Sequence, residues 1–305
     1  MGSQISLYAS PPDTTRTAVL KFLDGIAQPL PPRTPIEKSL FKDSCAAAVQ
    51  RGWPADTAPK YMGGGVAMSS TGYAHLDNNS TRILIAVYTA CGIYLDDVYQ
   101  HNTTGVSEFN QRFFEHVPQA DPVLDCFAQI LLEIGDHFDR VVANIIVTST
   151  LNAVTALTLE ARTQGMAISP SAIGYPTFSR VMSGASEAYS LFIFPRSFVL
   201  PQFIQTLQQL MTFINNGNDI LSFHKEESDG ETVNRVSFLA QQSGKTKQTV
   251  LVELVADAIQ AHRNVLDALA STPAAQNVFQ AFVAGYIGFH VSAGRYRLEE
   301  LALSV

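Results

Sequence analysis

The 305-residue sequence has few charged residues and only three cysteines. Charged residues make up 15% of the chain, against roughly 25% in typical soluble proteins. Hydrophobic residues make up 46%, which indicates a large interior. The cysteines (Cys45, Cys91 and Cys126) are odd in number and lie in apolar helical segments. We therefore expect reduced core cysteines, and neither a disulfide framework nor a zinc site, which is typical of an intracellular protein.

The sequence also lacks the features of nucleic-acid-binding, secreted and membrane proteins. Its formal net charge of −7 and its pI near 5.5 argue against a general affinity for nucleic acid or anionic membranes. The N-terminus has no basic segment followed by an apolar one, so no signal peptide is predicted. The apolar runs at residues 82–95 and 188–204 are too short, or interrupted by Pro195, Arg196 and Pro201, to span a bilayer. A soluble, cytoplasmic protein is expected.

No stretch shows the alternating pattern of β-strands, and neither a repeat nor an interdomain linker is visible. Apolar residues recur instead at helical spacing. The predicted helices cover residues 13–28, 35–51, 82–95, 107–116, 121–162, 177–194, 202–227, 247–270 and 275–291. We expect one all-α domain over residues 1–305, with roughly ten helices around a central cavity. The first 12 or so residues are expected to be flexible.

Two segments that contain glycine depart from this helical pattern. Residues 55–79 are predicted to be a loop, because they are rich in Gly, Ser and Thr and include three consecutive glycines at 63–65. A phosphate-binding loop is not predicted there, since neither the preceding strand nor the following Lys-Ser/Thr is present. Gly184 lies in the middle of a predicted helix, where it is either tolerated or useful as a local break.

Three polar residues repeat at helical spacing inside an otherwise apolar segment. Asn218, Ser222 and Glu226 stand at i, i+4 and i+8, so their side-chain oxygens stack along one helix face. An amide, a hydroxyl and a carboxylate suit a hard divalent cation such as Mg²⁺. The alternative is a solvated helix face, which supplies such spacings by chance.

A second acidic motif follows the apolar helix at residues 82–95. Asp96 and Asp97 come directly after it, and two carboxylates at the end of a buried helix carry a desolvation cost unless a positive charge meets them. A metal cation is the expected partner.

The two motifs, together with Arg295 and Tyr296 in the segment GRYRLEEL, resemble the class I terpene cyclases. Among these, the sequence is most similar to the trichodiene synthase group of fungal sesquiterpene cyclases, and the second motif has the form ND-x-x-S-x-x-KE. The resemblance covers most of the chain, and the order and separation of the motifs make it specific. Gln100 stands where the family pattern often has a further acidic residue. The resemblance implies that the first Asp of the motif, Asp96, does most of the metal ligation, so the departure at Gln100 does not affect the role expected of Asp96.

The resemblance implies that Asp96, Asn218, Ser222 and Glu226 bind three Mg²⁺ ions. It also assigns diphosphate contacts to Arg180, Lys225, Arg295 and Tyr296. Gly184 would mark a helix break that couples Arg180 to ionisation, and Asp97 would pair with Arg295 when the site closes. Alternative interpretations are a surface position at a helix start for Arg180, a solvated face for Lys225 and Glu226, and an ordinary exposed helix for Arg295.

The implied activity is that of a carbon–oxygen lyase, a sesquiterpene synthase that ionises farnesyl diphosphate and cyclises the carbocation. The 18 Phe and 10 Tyr could supply a dry pocket with cation–π stabilisation, although most are expected to be core. A chain-elongating prenyl synthase and a non-catalytic isoprenoid-binding protein remain alternatives. No nucleic-acid or membrane partner is expected, and a homodimer is left open.

Overall fold

A computed structural model describes residues 11–99 and 103–303 of the chain. Gln100 and residues 1–10 of the segment expected to be flexible lie outside these residues. The described residues form thirteen α-helices and no β-strand, which confirms the all-α class and exceeds the roughly ten helices expected. The helices are α1 (Pro11–Gly25), α2 (Lys38–Gln50), α3 (Ala58–Thr71), α4 (Asn79–Tyr99), α5 (Phe109–Glu115), α6 (Pro122–His137), α7 (Arg140–Thr163), α8 (Tyr175–Ser183), α9 (Ser186–Leu191), α10 (Leu207–Ser228), α11 (Arg235–Ser243), α12 (Lys247–Ala268) and α13 (Pro273–Ser292).

The prediction of a loop at residues 55–79 is wrong, because α3 occupies most of it. Helix α3 packs along α4, and a Cβ atom on Gly65 would lie 2.0 Å from the backbone oxygen of Ala86. Glycine is a poor helix former, by about 1 kcal/mol against alanine. Here the close approach of two backbones, which only glycine permits, offsets that loss.

The predicted helix at residues 121–162 is in fact two helices. Phe138 is extended, with φ −127° and ψ 163°, and ends α6. The Asp139 carboxylate then accepts a hydrogen bond from the backbone N–H of Val141 and caps α7. Both helices bury apolar residues, so the helical spacing of these residues continues across the break. Periodicity alone therefore does not show where α6 ends and α7 begins. Helix α11 was likewise not predicted.

The core is rich in aromatic side chains around α10. Helix α10 packs against α1, α9 and α12. The ring of Phe213 on α10 has Phe22, Phe279 and Tyr286 as neighbours, with centroids 5.9 to 6.1 Å apart. These contacts bury the apolar side of α10. Its polar residues Asn218 and Asp219 face Arg180 on α8 and the turn at the C-terminus.

The three cysteines are free thiols, and Cys91 and Cys126 are fully buried, as the sequence predicts. One helix among the described residues, α7, is long and apolar enough to cross a membrane, with a mean hydropathy of 1.6. It is not one of the apolar runs at residues 82–95 and 188–204 that stand out in the sequence. Core helices of globular proteins have the same properties, and 44% of the apolar window is buried inside the structure.

Candidate active site

Two of the three polar residues that the sequence places on one face of α10 are in direct contact. The Ser222 hydroxyl donates to Oε1 of Glu226 at 2.6 Å, so these two residues stack directly on one face of the helix. Ser222 is buried, and Asn218 and Glu226 are half-buried. Lys225 and Glu226 therefore do not form the fully solvated face that was the alternative interpretation.

Glu226 is a carboxyl group in an unfavourable place for a negative charge. Burial raises its pKa to about 7, and the nearby charges of Asp219 and Glu231 act in the same direction. The hydrogen bond from Ser222 and the charge of Arg180 oppose the shift without cancelling it. The site thus favours a proton or another cation beside this carboxyl group.

Arg180 connects α8 to the metal motif. Its Nε donates to Oδ1 of Asp219 at 2.7 Å, and its Nη2 donates to Oδ1 of Asn218 at 3.0 Å. Burial acts to lower the pKa of Arg180, but the Asp219 carboxylate outweighs it and the pKa is raised. Arg180 lies in the last turn of α8, and its side chain is 16% exposed. The alternative of a surface residue at a helix start is therefore wrong.

Asp219 carries a second buried partner that the sequence analysis missed. Nη1 of Arg235 lies 3.4 Å from Oδ2 of Asp219 and also donates to the buried Asn216 amide oxygen. Burial lowers the pKa of Arg235, with Arg180 acting in the same direction against the raising effect of Asp219. Asp219 could have indicated such a pair from the sequence alone, because a carboxylate in an apolar helix requires a cationic partner.

The chain breaks its helix at Gly184. Helix α8 ends there, and Ala185 takes a left-handed conformation with φ 45° before α9 begins. A Cβ atom on Gly184 would lie 2.6 Å from Oδ1 of Asn215 and 2.7 Å from Nη1 of Arg180. Of the two interpretations of Gly184, the structure therefore has the local break, in contact with the Arg180 guanidinium.

The Asp-rich end of α4 differs from the expected buried helix end. Asp96 and Asp97 are both exposed, because they lie on the solvent side of the last turn of α4, whereas Leu95 and Tyr99 are buried. The desolvation argument for this motif is therefore wrong. Oδ2 of Asp96 accepts from Nη2 of Arg295 at 3.3 Å, with the two side chains 59% and 39% exposed. The partner of Arg295 in this structure is therefore Asp96 and not Asp97.

The end of α4 is anchored to the start of α6. Tyr99 donates its hydroxyl hydrogen to Asp121, which also caps α6 by accepting from the backbone N–H groups of Val123 and Leu124. Tyr94 lies 3.4 Å from the same carboxylate. These bonds fix the last turn of α4, which carries Asp96.

Arg295 and Tyr296 form a short 3-10 turn with Gly294 after α13 and connect the two motifs. Tyr296 is buried, and burial raises the pKa of its hydroxyl, while the nearby Asn218 side chain acts to lower it. Its neighbour Arg295 contacts Asp96 on α4. The structure thus brings together motifs that are more than a hundred residues apart in the chain.

Lys225 occupies a different position from the other predicted diphosphate contacts. Its ammonium group pairs with Glu231 and lies 3.7 Å from Oδ2 of Asp229. Both carboxylates belong to the segment that follows α10. Lys225 would have to leave them in order to bind a diphosphate.

Glu160 is a further acidic residue near the site that the sequence analysis missed. Burial raises the pKa of this α7 carboxyl group, while a hydrogen bond with Ser183 and the charge of Arg180 lower it. Asp96 adds a smaller repulsion. Glu160 therefore faces the space between the Asp-rich end of α4 and the α8–α9 break, although its sequence context of leucine and threonine gives no functional signal.

A cavity of about 210 Å³ lies between α2, α4 and α6 and is separate from these residues. It is lined by Arg51, Ser80, Ile83, Ile130 and His137, among others. Ser80 precedes Asp96 by 16 residues, which corresponds to about 24 Å along the helix.

Comparison with known proteins identifies relatives of the chain and structures with a similar fold. The chain is 32% identical over 272 residues to the alpha-cuprenene synthase of Coprinopsis cinerea, covering 88% of this chain and 84% of that protein. It is 31% identical over 244 residues to monoterpene synthase 25 of Postia placenta, covering 79% and 73% of the two chains. The structure resembles the linalool/nerolidol synthase of Streptomyces clavuligerus with a TM-score of 0.61 and 13% identity, covering 88% and 98%. A second structure of that enzyme, in complex with 2-fluorogeranyl diphosphate, gives a TM-score of 0.55.

The fold and these relatives place the protein in the class of the terpene synthases, which are lyases acting on prenyl diphosphates. Residues 65–303 match the family described as trichodiene synthase (TRI5), and the chain belongs to this family. The resemblance inferred from the motifs and the prediction of an enzyme are both confirmed.

Proposed function

We propose that the protein is a Mg²⁺-dependent sesquiterpene synthase that converts farnesyl diphosphate into a cyclic sesquiterpene and diphosphate. The observation that carries this proposal is the meeting of three elements at one place. The α10 motif lies between Arg180 on one side and the Arg295-Tyr296 turn on the other, and that turn leads to Asp96.

The oxygen donors of the site fit Mg²⁺. Among residues 11–99 and 103–303, no three His, Cys, Asp or Glu side chains converge as an all-protein metal site. The donors are instead one amide, one hydroxyl and one carboxylate on α10, with Asp96 opposite, and Mg²⁺ is usually held by few protein ligands together with waters and substrate phosphates. Burial raises the pKa of Glu226, so a cation beside this carboxyl group would stabilise its charged form. Three Mg²⁺ ions are proposed, held by Asp96, Asn218, Ser222 and Glu226.

When bound, Mg²⁺ would act as a Lewis acid that neutralises the diphosphate leaving group. The chain itself supplies hydrogen-bond donors to the same anion. Arg180 and Arg295 offer planar guanidinium groups suited to bidentate contact with phosphate oxygens, and Lys225 and Tyr296 are the other proposed donors. In the structure Arg295 pairs with Asp96 in an exposed ion pair, so a diphosphate can displace this contact at little cost.

The interior behind the motifs is suited to keeping a carbocation from water. Phe282, Tyr286, His290 and Tyr296 form a chain of neighbouring rings beside Asn218, with successive centroids 4.4 to 5.6 Å apart. Aromatic faces stabilise cations by up to about 2 kcal/mol when desolvated. The proposed course is ionisation, isomerisation to a tertiary allylic diphosphate and closure of a six-membered ring to a bisabolyl-type cation.

A ten-carbon substrate is the second candidate, because one relative is named as a monoterpene synthase. The test compares kcat/KM for ten-, fifteen- and twenty-carbon prenyl diphosphates at equal concentration with Mg²⁺, followed by gas chromatography of the organic phase. We expect the fifteen-carbon substrate to be preferred and to give cyclic hydrocarbons. A higher kcat/KM for another length would refute the sesquiterpene assignment alone. In a parallel assay with isopentenyl diphosphate as co-substrate, longer diphosphates in the aqueous phase would indicate chain elongation. No product in either assay would indicate a non-catalytic protein.

A further inference from the structure

His290 lies in the last turn of α13 and is one of the least exposed polar side chains of the described structure, at 1%. Its imidazole is surrounded by the rings of Tyr286, Phe289 and Tyr296, whose centroids lie 4.5, 5.1 and 4.4 Å away. Such a residue in an apolar helix is usually a satisfied core histidine. His290, however, has two hydrogen-bond partners, and one of them is the side chain of Asn218 in the α10 motif.

The partners of His290 determine which nitrogen carries the proton. Nδ1 lies 2.8 Å from the backbone oxygen of Tyr286, which can only accept, so Nδ1 must be the donor. A neutral imidazole carries a hydrogen on one ring nitrogen only, and the Asn218 amide, whose oxygen accepts from Arg180, presents N–H to the other nitrogen. Nε2 therefore bears a lone pair and acts as an acceptor.

This acceptor faces Asn218. Nε2 of His290 lies 3.3 Å from Nδ2 of Asn218, so the amide must direct its NH₂ group toward α13. On the other side, Nη2 of Arg180 lies 3.0 Å from Oδ1, and a guanidinium can only donate. Two independent partners with fixed polarity thus select the same orientation of an amide whose oxygen and nitrogen are otherwise hard to distinguish.

We propose that His290 is a positioning residue, which orients the Asn218 amide so that its oxygen, and not its nitrogen, is available as a metal ligand. The inference rests on the proposed function, in which Asn218 binds Mg²⁺. A reversed amide would present two N–H donors to the cation and would contribute no ligand. Hydrogen bonds that orient metal ligands are typically worth a factor of about 10 to 100 in metal affinity.

The experiment measures binding of inorganic diphosphate in the presence of Mg²⁺ by isothermal titration calorimetry on the full chain. The variants are His290→Phe, which keeps an aromatic ring without the acceptor, and His290→Leu, which avoids an oversized side chain if the first variant fails to fold. His262→Phe is the matched control, because His262 is also buried between two rings, those of Phe213 and Phe279. Asn218→Ala and its double variant with each His290 substitution complete a double-mutant cycle.

We expect the His290 variants to bind Mg²⁺-diphosphate on the order of 10-fold more weakly and His262→Phe to bind as the wild type does. The effect should vanish in the Asn218→Ala background, because His290 acts through that amide. A loss of the same size in both backgrounds, or no loss in folded His290 variants while Asn218→Ala weakens binding, would overturn the proposal for His290. Unchanged binding by Asn218→Ala would instead refute the metal site of the proposed function.

Discussion

Two carboxylates on α10, Asp219 and Glu226, show how different partners set different charges at the scale of single residues. They stand seven residues apart on one side of the helix, and both are largely buried. Asp219 is compensated by the guanidinium groups of Arg180 and Arg235. Within the described part of the chain, the side chain of Glu226 accepts a hydrogen bond from the Ser222 hydroxyl and forms no ion pair, and its pKa rises to about 7. The fold thus neutralises the structural carboxylate and leaves the proposed metal ligand poorly compensated.

Glu226→Gln should stabilise the metal-free protein at neutral and higher pH. The folded state holds a proton on Glu226 up to a pH of about 7, whereas an unfolded glutamate loses it near 4.5. The folded state therefore binds more protons between these values, and stability falls as the pH rises through this window. The gain above pH 7 has an upper limit on the order of 3 kcal/mol.

The measurement is denaturant unfolding of both proteins at pH 5 and pH 8 without Mg²⁺ or diphosphate. The variant should lose less stability than the wild type between the two pH values, and its turnover should be abolished. Identical pH slopes for the two proteins would mean that Glu226 is not the source of the shift.

Asp219→Ala should destabilise the protein strongly. It would leave two buried guanidinium groups without their carboxylate, and breaking a buried ion pair typically costs about 3 to 5 kcal/mol. Asp229→Ala is the control, because Asp229 also lies near two cationic side chains, Lys225 and Arg297, but is exposed and should contribute about 0 to 1 kcal/mol. Equal losses of unfolding free energy in the two variants would contradict this account of the Asp219 cluster.

At the scale of elements, the break between α8 and α9 is the feature that distinguishes this site from a plain helix bundle. The apolar pattern predicts one helix over residues 177–194, yet the chain turns at Gly184 and Ala185. Left-handed conformations of residues other than glycine cost on the order of 1 kcal/mol or more and cluster at functional sites. The turn lets the Arg180 guanidinium approach the backbone at Gly184 and face α10.

Gly184→Ala should displace Arg180 and reduce kcat/KM by at least about 10-fold. The backbone of Gly184 is in the ordinary helical region, so the cause is collision of the new methyl group with Asn215 and Arg180, and overpacking of this kind costs about 1 to 3 kcal/mol. Gly135→Ala in α6 is the matched control, since a Cβ there meets no atom within 4 Å. The control should be more stable by up to about 1 kcal/mol with unchanged activity. Wild-type kinetics for Gly184→Ala would show that this contact is not needed.

At the scale of the whole molecule, the C-terminal segment connects distant parts of the bundle. Tyr296 lies beside the Asn218 side chain on α10, and Arg295 forms an ion pair with Asp96 on α4. Glu299 pairs with Arg33 near the N-terminal end of the fold. Several of these contacts are exposed ion pairs, which are individually weak. A ligand that binds the same groups more strongly can therefore increase the stability of the folded chain.

Mg²⁺ and diphosphate together, but neither alone, should raise the melting temperature. The proposed metal ligands and diphosphate donors come from α4, α8, α10 and the C-terminal turn, and the metal ions and the anion in combination would bridge all four elements. Ligand at 100 times its dissociation constant adds about 2.7 kcal/mol to the unfolding free energy. Arg295→Gln should reduce this gain while leaving the unliganded melting temperature nearly unchanged. An unaltered melting temperature of the wild type with both ligands present would argue against the bridged site.

The sequence by itself determined the all-α class, the family and the geometry of the α10 motif. Asn218, Ser222 and Glu226 could be placed on one face because spacing within a helix is fixed by 3.6 residues per turn. The family followed from the order of three motifs along the chain, which requires no knowledge of packing. Most helices were predicted for the same reason, since a buried face leaves a local apolar pattern.

Only the tertiary structure decided which groups meet across the fold. Asp219 finds Arg235, His290 orients Asn218, and Asp96 rather than Asp97 accepts from Arg295. The tertiary structure also decides that most of residues 55–79, predicted to be a loop, form helix α3. The cause is the close approach of the α3 and α4 backbones, which local helix propensity does not indicate. The physical reason is common to all of these cases. Local spacing is set by the helix itself, whereas a contact between residues up to 199 positions apart depends on how every intervening element packs.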